Sequence, residues 1–301
     1  MANTTSGKWA GVTGGGNFGQ RSLIFLFRHC DVRVGYAIMY LVIPFYILFG
    51  GKGRRAIMRY FRQVHGYGFW KALGGTWRDY VNFGKVLLDR FAVYAGQKAK
   101  FKVEKDGVVE NFDALMVKPG GFMMVGSHTG NFEICGYLLR QDVKKIYALV
   151  FGGEGAVLQY QRHAQLSQNN VEMVAVTDDM SHLFKIDEGL REGGIVSMPA
   201  DRIFGSSKSV TCNFGKAEAD FPVGPFAVAA IRGVPVLAVF VFRKSAYRYR
   251  AVVRRVEPDD TQKSSKQKAE SMARRYVAML EEQVMANKCQ WFNFFEFFRE
   301  K

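Results

Sequence analysis

A histidine and a glutamate stand five residues apart in GFMMVGSHTGNFEICGYLL, residues 121–139. His128 follows an apolar run that predicts a strand, and Glu133 falls in the first turn of the helix predicted after it. A carboxylate on one imidazole nitrogen fixes the tautomer and leaves the other nitrogen free to accept a proton. The pattern favours His128 as a general base with Glu133 as its partner, although HxxxxE by itself is also common as a structural pattern. Asn131, between them, is a candidate for binding the substrate.

Polar residues follow a second predicted strand, IVSMP at 195–199. Because ligand crevices lie at the carboxyl ends of parallel strands, Asp201 and Arg202 are candidates to line the same crevice as the histidine; a structural ion pair is the alternative. Lys216, in a turn beside a glycine, could contact an anionic head group or a carrier phosphate, or be simply solvated. Gly224 opens a predicted helix whose N-terminus could support a phosphate or an oxyanion.

Several other chemistries lack their motifs. The sequence has no GxSxG nucleophile elbow, no CxxC among its four cysteines and no HExxH among its five histidines. Residues 14–19 fit GxGxxG, but no predicted strand precedes them and no βαβ unit follows, so a flexible leader is the better interpretation. We expect no metal and no cofactor.

The order of predicted elements favours an α/β fold with a mostly parallel sheet flanked by helices. Residues 101–301 are interpreted as one α/β domain, with a further strand pair at Tyr247–Val256 and a long charged helix at 262–287. The predicted strands are 121–126, 145–151, 172–176, 194–198 and 234–242, and the predicted helices between them are 131–140, 156–169, 181–192 and 225–232.

The first third of the chain predicts a different structure. Residues 1–20 are interpreted as a flexible leader, and residues 21–100 as a helical, membrane-associating region rich in basic and aromatic residues. The apolar run Val34–Gly50 is marginally short for a bilayer span and is interrupted by Pro44. An interfacial or re-entrant anchor is therefore favoured, with a true span or a buried soluble helix as alternatives.

The net charge of +15 predicts an anionic partner: nucleic acid, anionic lipid or an acidic carrier protein. Aromatic residues make up 14% of the chain and cluster at its two ends, which suits interfacial anchoring better than a nucleic-acid platform. We therefore expect a membrane surface as a partner and no nucleic acid.

Five short segments follow one another along the chain: Ser127-His-Thr-Gly-Asn-Phe-Glu133, Pro199-Ala-Asp-Arg202, Asn213-Phe-Gly-Lys216, Phe221-Pro-Val-Gly-Pro225 and Gln290-Trp-Phe-Asn-Phe294. Together and in this order they resemble the lipid A lauroyl/myristoyl acyltransferase family of the lysophospholipid acyltransferase superfamily. The resemblance implies an HxxxxD/E acyltransferase with His128 as base and Glu133 as its partner.

The resemblance also implies the reaction and its setting. The donor would be acyl carrier protein or acyl-CoA, the acceptor a hydroxyl of lipid A or another membrane lipid, and the location the cytoplasmic face of the cell inner membrane. Many members carry Tyr-Arg where this chain has Tyr147-Ala148, so an arginine at the oxyanion would come from elsewhere, for example Arg202. Open alternatives are an N-acyltransferase, an enzyme acylating an amino-acid lipid or glycolipid, and a non-catalytic basic membrane-binding protein.

The run at residues 34–50 generates a prediction about membrane attachment. We expect the protein to sediment with membranes and to resist extraction by 1 M NaCl, because each buried Phe, Leu or Ile side chain contributes about 1.5–3 kcal/mol, whereas salt screens surface attraction. Sedimentation after salt washing measures this. Complete release by salt, with residues 34–50 intact, would contradict it.

Overall fold

The computed structural model describes residues 16–138, 143–150, 156–176, 181–203 and 208–299. Four helices come first: α1 (Gly16–His29), α2 (Val32–Phe49), α3 (Gly51–Gln63) and α4 (Phe69–Tyr94). Because α1 begins at Gly16, the last residues of the predicted leader are helical, and residues 1–15 lie outside the described chain.

Strands and further helices follow these four helices. Among the described residues the strands are β1 (Lys102–Asp106), β2 (Phe122–Gly130), β3 (Ile146–Val150), β4 (Val171–Ala175), β5 (Ile195–Pro199), β6 (Ser209–Phe214), β7 (Ala217–Pro222), β8 (Val236–Ser245) and β9 (Arg248–Arg255). The helices are α5 (Ala114–Met116), α6 (Phe132–Leu138), α7 (Ala156–Ser167), α8 (Ser181–Arg191), α9 (Gly224–Arg232) and α10 (Ser265–Ala286). From β2 to β5 strands and helices alternate, as the sequence predicts, whereas β1 and the hairpin β6–β7 have no counterpart among the predicted strands.

Seven of these strands form one sheet in the order β1-β9-β8-β2-β5-β3-β4. Neighbouring strands are parallel except for β8 and β9, which form an antiparallel hairpin. The mostly parallel, helix-flanked sheet is therefore confirmed. The segment predicted as a strand pair, Tyr247–Val256, instead contributes the single strand β9. The order places β2 beside the parallel strand β5, so the residues that follow these two strands meet at the carboxyl end of the sheet.

Near its carboxyl end, β2 departs from regular pairing. It pairs with β8 up to Gly126 opposite Val239 and again at Gly130 opposite Val241, with a shift of register between them. Gly130 has a φ of +50°, and a Cβ there would overlap the carbonyl oxygen of Val241. Such bulges re-aim side chains at sheet edges. His128 lies inside this bulge.

The aromatic carboxyl-terminal segment packs inside the protein. Trp291, Phe292 and Phe298 are buried, and Trp291 contacts the ring of Phe214 in β6. The expectation that this cluster anchors the protein at the membrane interface is therefore wrong, because its largest rings help to form the core.

The amino-terminal apolar run forms the continuous helix α2, with Pro44 inside it. The side chain of Asp31 caps this helix by accepting a hydrogen bond from the Arg33 amide, at 3.0 Å. Among the described residues, α2 is the helix long and apolar enough to cross a membrane. One face packs on α4, and large apolar side chains on the other face, such as Phe45, are exposed. Whether α2 spans the bilayer or lies in it stays a prediction.

Candidate active site

His128 is held by a buried carboxylate at the carboxyl ends of the central strands β2 and β5. Its Nδ1 lies 2.8 Å from Oδ1 of Asp201, and its backbone amide donates to Oδ2 of Asp201, also at 2.8 Å. The aspartate is fully buried, whereas 23% of the histidine side chain is exposed. With Nδ1–H donating to Asp201, Nε2 carries the lone pair. No described residue bonds to Nε2, so it is available to a substrate proton.

A third donor completes the surroundings of Asp201. The indole Nε1 of Trp291 donates to Oδ2 of Asp201 at 3.0 Å. Burial raises the pKa of this carboxyl, but the charge and hydrogen bond of His128, the charge of Arg202 and the indole hydrogen bond outweigh burial and hold the pKa at about 2. Asp201 is therefore ionised at neutral pH and stabilises a positive charge on the imidazole.

The backbone around His128 is fixed from two sides. The carboxyl-terminal segment runs antiparallel to the bulge: Gly130 N donates to Gln290 O at 2.7 Å, and Phe292 N donates to His128 O at 2.9 Å. From α10, the Tyr276 hydroxyl donates to the Gly126 carbonyl at 2.6 Å. Segments distant in sequence thus determine where the imidazole lies.

Glu133 does not pair with His128 in this structure. Its carboxylate lies 3.1 Å from Arg90 Nε of α4 and 2.7 Å from Arg162 Nη2 of α7, and the Tyr137 hydroxyl donates to it at 2.6 Å. Although burial raises the pKa of Glu133, the two arginines and the tyrosine lower it below its usual range. The expectation that Glu133 orients the imidazole is corrected: both carboxylate oxygens are occupied by other donors, and Asp201 takes the place at Nδ1.

Arg202 lies beside Asp201 and contacts the carboxyl-terminal segment. Its Nη2 donates to the Phe292 carbonyl at 2.9 Å, and the guanidinium lies 4.9 Å from the centre of the Phe295 ring. Its Nε is buried without a hydrogen-bond partner among the described residues. Arg202 therefore holds the carboxyl-terminal segment next to Asp201, and its Nε–H makes no hydrogen bond to a described residue.

The remaining candidates lie in three different surroundings. Asn131 is buried, and its amide nitrogen lies 3.4 Å from the Tyr249 hydroxyl, so it supports the start of α6. Lys216 is exposed in the turn between β6 and β7, where its amide donates to the Val64 carbonyl at 3.1 Å. Gly224 is the exposed first residue of α9. The structure thus brings His128, Asp201 and Arg202 together; the substrate-binding roles of Asn131, Lys216 and Gly224 stay predictions.

Sequence reasoning missed two features of the site. The sequence places Trp291 only in the aromatic segment, whereas its indole contacts Asp201. No pattern in the sequence connects Arg90 and Arg162 with Glu133. The buried strands before His128 and Asp201 were a usable signal for their meeting, whereas contacts between distant helices leave no local pattern.

Fold and site together define a class of protein: an α/β protein with a partly exposed histidine held by a buried carboxylate at the carboxyl ends of parallel strands. The model of the family described as bacterial lipid A biosynthesis acyltransferase matches residues 79–300. The chain therefore belongs to that family, as its motifs predicted, and it is an acyltransferase that acts on lipid. No curated protein matches the chain significantly.

The position of Glu133 generates a prediction about stability. Glu133→Ala removes the carboxylate shared by two buried arginines, and we expect a loss of about 3–5 kcal/mol in the free energy of unfolding, as for other broken buried ion pairs. Chemical denaturation in detergent measures this. The control is Glu172→Ala, which removes an ion pair with Lys145 that is 46% exposed on the lysine side and should cost no more than ~1 kcal/mol.

The contribution of the Glu133 carboxylate to the free energy of unfolding depends on pH. Because the pKa of Glu133 is lower in the folded chain than its usual value, its stabilisation is complete above the unfolded-state pKa and is lost as pH falls through the folded-state pKa. The stability difference between wild type and Glu133→Ala should therefore shrink in acid. Equal effects of the Glu133 and Glu172 substitutions at neutral pH would contradict this account.

Proposed function

We propose that this protein transfers a fatty acyl group from an acyl-carrier thioester to a hydroxyl group of a lipid acceptor, with His128 as the general base. The observation that carries the proposal is the 2.8 Å contact between Nδ1 of the partly exposed His128 and the buried, ionised Asp201. This contact leaves Nε2 as the proton acceptor and stabilises the imidazolium that forms.

The proposed reaction uses this arrangement in two steps. The Nε2 atom of His128 takes the proton of the acceptor hydroxyl while the hydroxyl oxygen attacks the thioester carbonyl carbon. The tetrahedral intermediate collapses, the carbon–sulfur bond breaks, and the imidazolium returns its proton to the departing thiolate. The products are an ester and the free carrier thiol, and no covalent acyl-enzyme is needed. Asp201 stays ionised throughout.

Stabilisation of the oxyanion is assigned to Arg202, because the backbone amides of His128 and Gly130 already donate to Asp201 and Gln290. Support for the arginine is its position next to Asp201 and its unused buried Nε. Preorganised donors of this kind typically contribute about 10²–10³-fold in rate. Glu133 has a different proposed role: its contacts with Arg90 and Arg162 hold the first turn of α6, the helix that begins directly after the bulge.

The proposed donor is acyl carrier protein or acyl-CoA, and the proposed location is the cytoplasmic face of the inner membrane. A net charge of +15 favours an acidic carrier and an anionic membrane together. The proposed acceptor is lipid A or another membrane lipid; an N-acyltransferase or an enzyme for an amino-acid lipid or glycolipid would use the same base. Mass spectrometry of lipids from cells with and without the protein identifies the acylated product.

Enzyme variants test the proposed pair directly. We expect His128→Ala to abolish acyl transfer, and Asp201→Asn to reduce kcat by roughly 10²–10⁴-fold, because the amide cannot hold the imidazole in the required tautomer. The double variant should be little worse than His128→Ala alone, since both substitutions remove one catalytic unit. The assay follows a radiolabelled acyl group from acyl carrier protein to extracted membrane lipid.

The control is Ser197→Ala in β5, which leaves both members of the pair in place and should retain most of the activity. Folding of each variant is checked by size-exclusion chromatography and near-UV circular dichroism. Near-normal transfer by folded His128→Ala would overturn the proposal. Losses from the two single substitutions that simply multiply in the double variant would show that the residues act separately.

A further inference from the structure

A basic cleft lies on the opposite side of α3 from its packed face. The cleft has a volume of about 900 Å³ and is formed by α3, the beginning of α4 and the β6–β7 turn. We call it the α3 cleft. Its lining residues are Arg54, Arg55, Met58, Arg59, Arg62, Gln63, Gly66, Tyr67, Phe69, Leu73 and Lys216.

Among the described residues, the lining of the α3 cleft contains five cationic side chains and no carboxylate. Two of the five have partners elsewhere: Arg54 donates to the Ile47 carbonyl at 3.2 Å, and Arg59 pairs with Glu296 at 2.7 Å. Arg55, Arg62 and Lys216 are exposed and form no ion pair with a described residue. Like charges held this close repel one another, so a bound anion would relieve the repulsion.

The helical repeat explains why these cations share one face. Arg55, Arg59 and Arg62 are spaced four and three residues apart, which places them on one side of α3. The opposite side carries Ile57, Tyr60 and Phe61, all buried. The arrangement is therefore built into the helix sequence, and its guanidinium groups match the bidentate geometry that phosphate oxygens accept.

Exposed apolar side chains accompany the α3 cleft. The preceding helix, α2, ends at Phe49, which is 82% exposed, and the hydrogen bond of Arg54 to the Ile47 carbonyl joins the cleft to this last turn. Phe69 lines the cleft, and the neighbouring Trp70 is 80% exposed. Tryptophan beside basic residues is typical of the head-group layer of a membrane.

We propose that the α3 cleft binds the phosphate group of an anionic membrane phospholipid. Arg55, Arg62 and Lys216 would contact the phosphate oxygens, while Phe49, Phe69 and Trp70 enter the adjoining acyl layer. His128 and Asp201 do not line the cleft, and its lining residues other than Lys216 precede residues 79–300, the part of the chain that the family model matches. An acidic protein would fit the charge, but it would not account for the exposed apolar side chains of Phe49, Phe69 and Trp70.

The experiment measures lipid binding and not acyl transfer, so it is independent of the proposed reaction. The full chain in a neutral detergent is titrated with phosphatidylglycerol or with phosphatidylcholine, and native mass spectrometry counts the lipids bound. The test variant is Arg55→Gln/Arg62→Gln. The control variant, Lys105→Gln/Lys263→Gln, loses the same charge at exposed positions in β1 and in the segment before α10.

We expect wild type and control to bind phosphatidylglycerol more tightly than phosphatidylcholine. In the test variant, the Kd for phosphatidylglycerol should rise roughly thirtyfold, the factor for two basic residues near an anionic surface, with phosphatidylcholine binding unchanged. Inorganic phosphate should compete only weakly, because it lacks the acyl chains.

Two results would overturn the proposal. Equal losses in test and control variants would mean a general effect of surface charge, and unchanged phosphatidylglycerol binding in the test variant would mean that the α3 cleft is not the site. The same unchanged lipid binding, with lost affinity for an acidic acyl carrier protein, would assign the cleft to a protein partner instead.

Discussion

The site depends on one buried carboxylate. Asp201 receives the ring and the backbone amide of His128 and the indole of Trp291, so a single side chain joins β2, β5 and the carboxyl-terminal segment. A buried charge without such donors would cost several kcal/mol. The three donors keep Asp201 ionised, and its charge in turn fixes the imidazole. The bulge in β2 and the hydrogen bond from Tyr276 of α10 to the Gly126 carbonyl hold the backbone of His128 in position for this contact.

Much of the fold follows from local sequence patterns. Apolar runs before His128 and Asp201 predicted β2 and β5, and polar residues after each run predicted a shared crevice. The order of strands in the sheet did not follow, because pairing between distant segments leaves no local signal. For the same reason the sequence pointed to Glu133, the nearest carboxylate in the chain, whereas the nearest in space is Asp201.

Glu133 connects helices of the protein through buried ion pairs. Together with Arg90 and Arg162 it links α6 to α4 and α7 and so joins the helical amino-terminal region to the sheet. The buried apolar cluster likewise extends from Ile24 in α1 to the carboxyl-terminal Phe298. The division of the chain at residue 100 stays a prediction, and these contacts show that residues on its two sides share one core. The exposed side of α2 and the α3 cleft then lie on a region firmly attached to the site.

The tautomer of His128 tests the central claim most directly. NMR spectra of the protein labelled with ¹⁵N-histidine in detergent micelles show the ring nitrogens of each histidine. The pair of ring signals that disappears in His128→Ala belongs to His128. The account predicts that neutral His128 carries its proton on Nδ1 and has an unprotonated Nε2, and that Asp201→Asn removes this preference while Glu133→Ala does not. A neutral His128 protonated on Nε2 in the wild-type protein would contradict it.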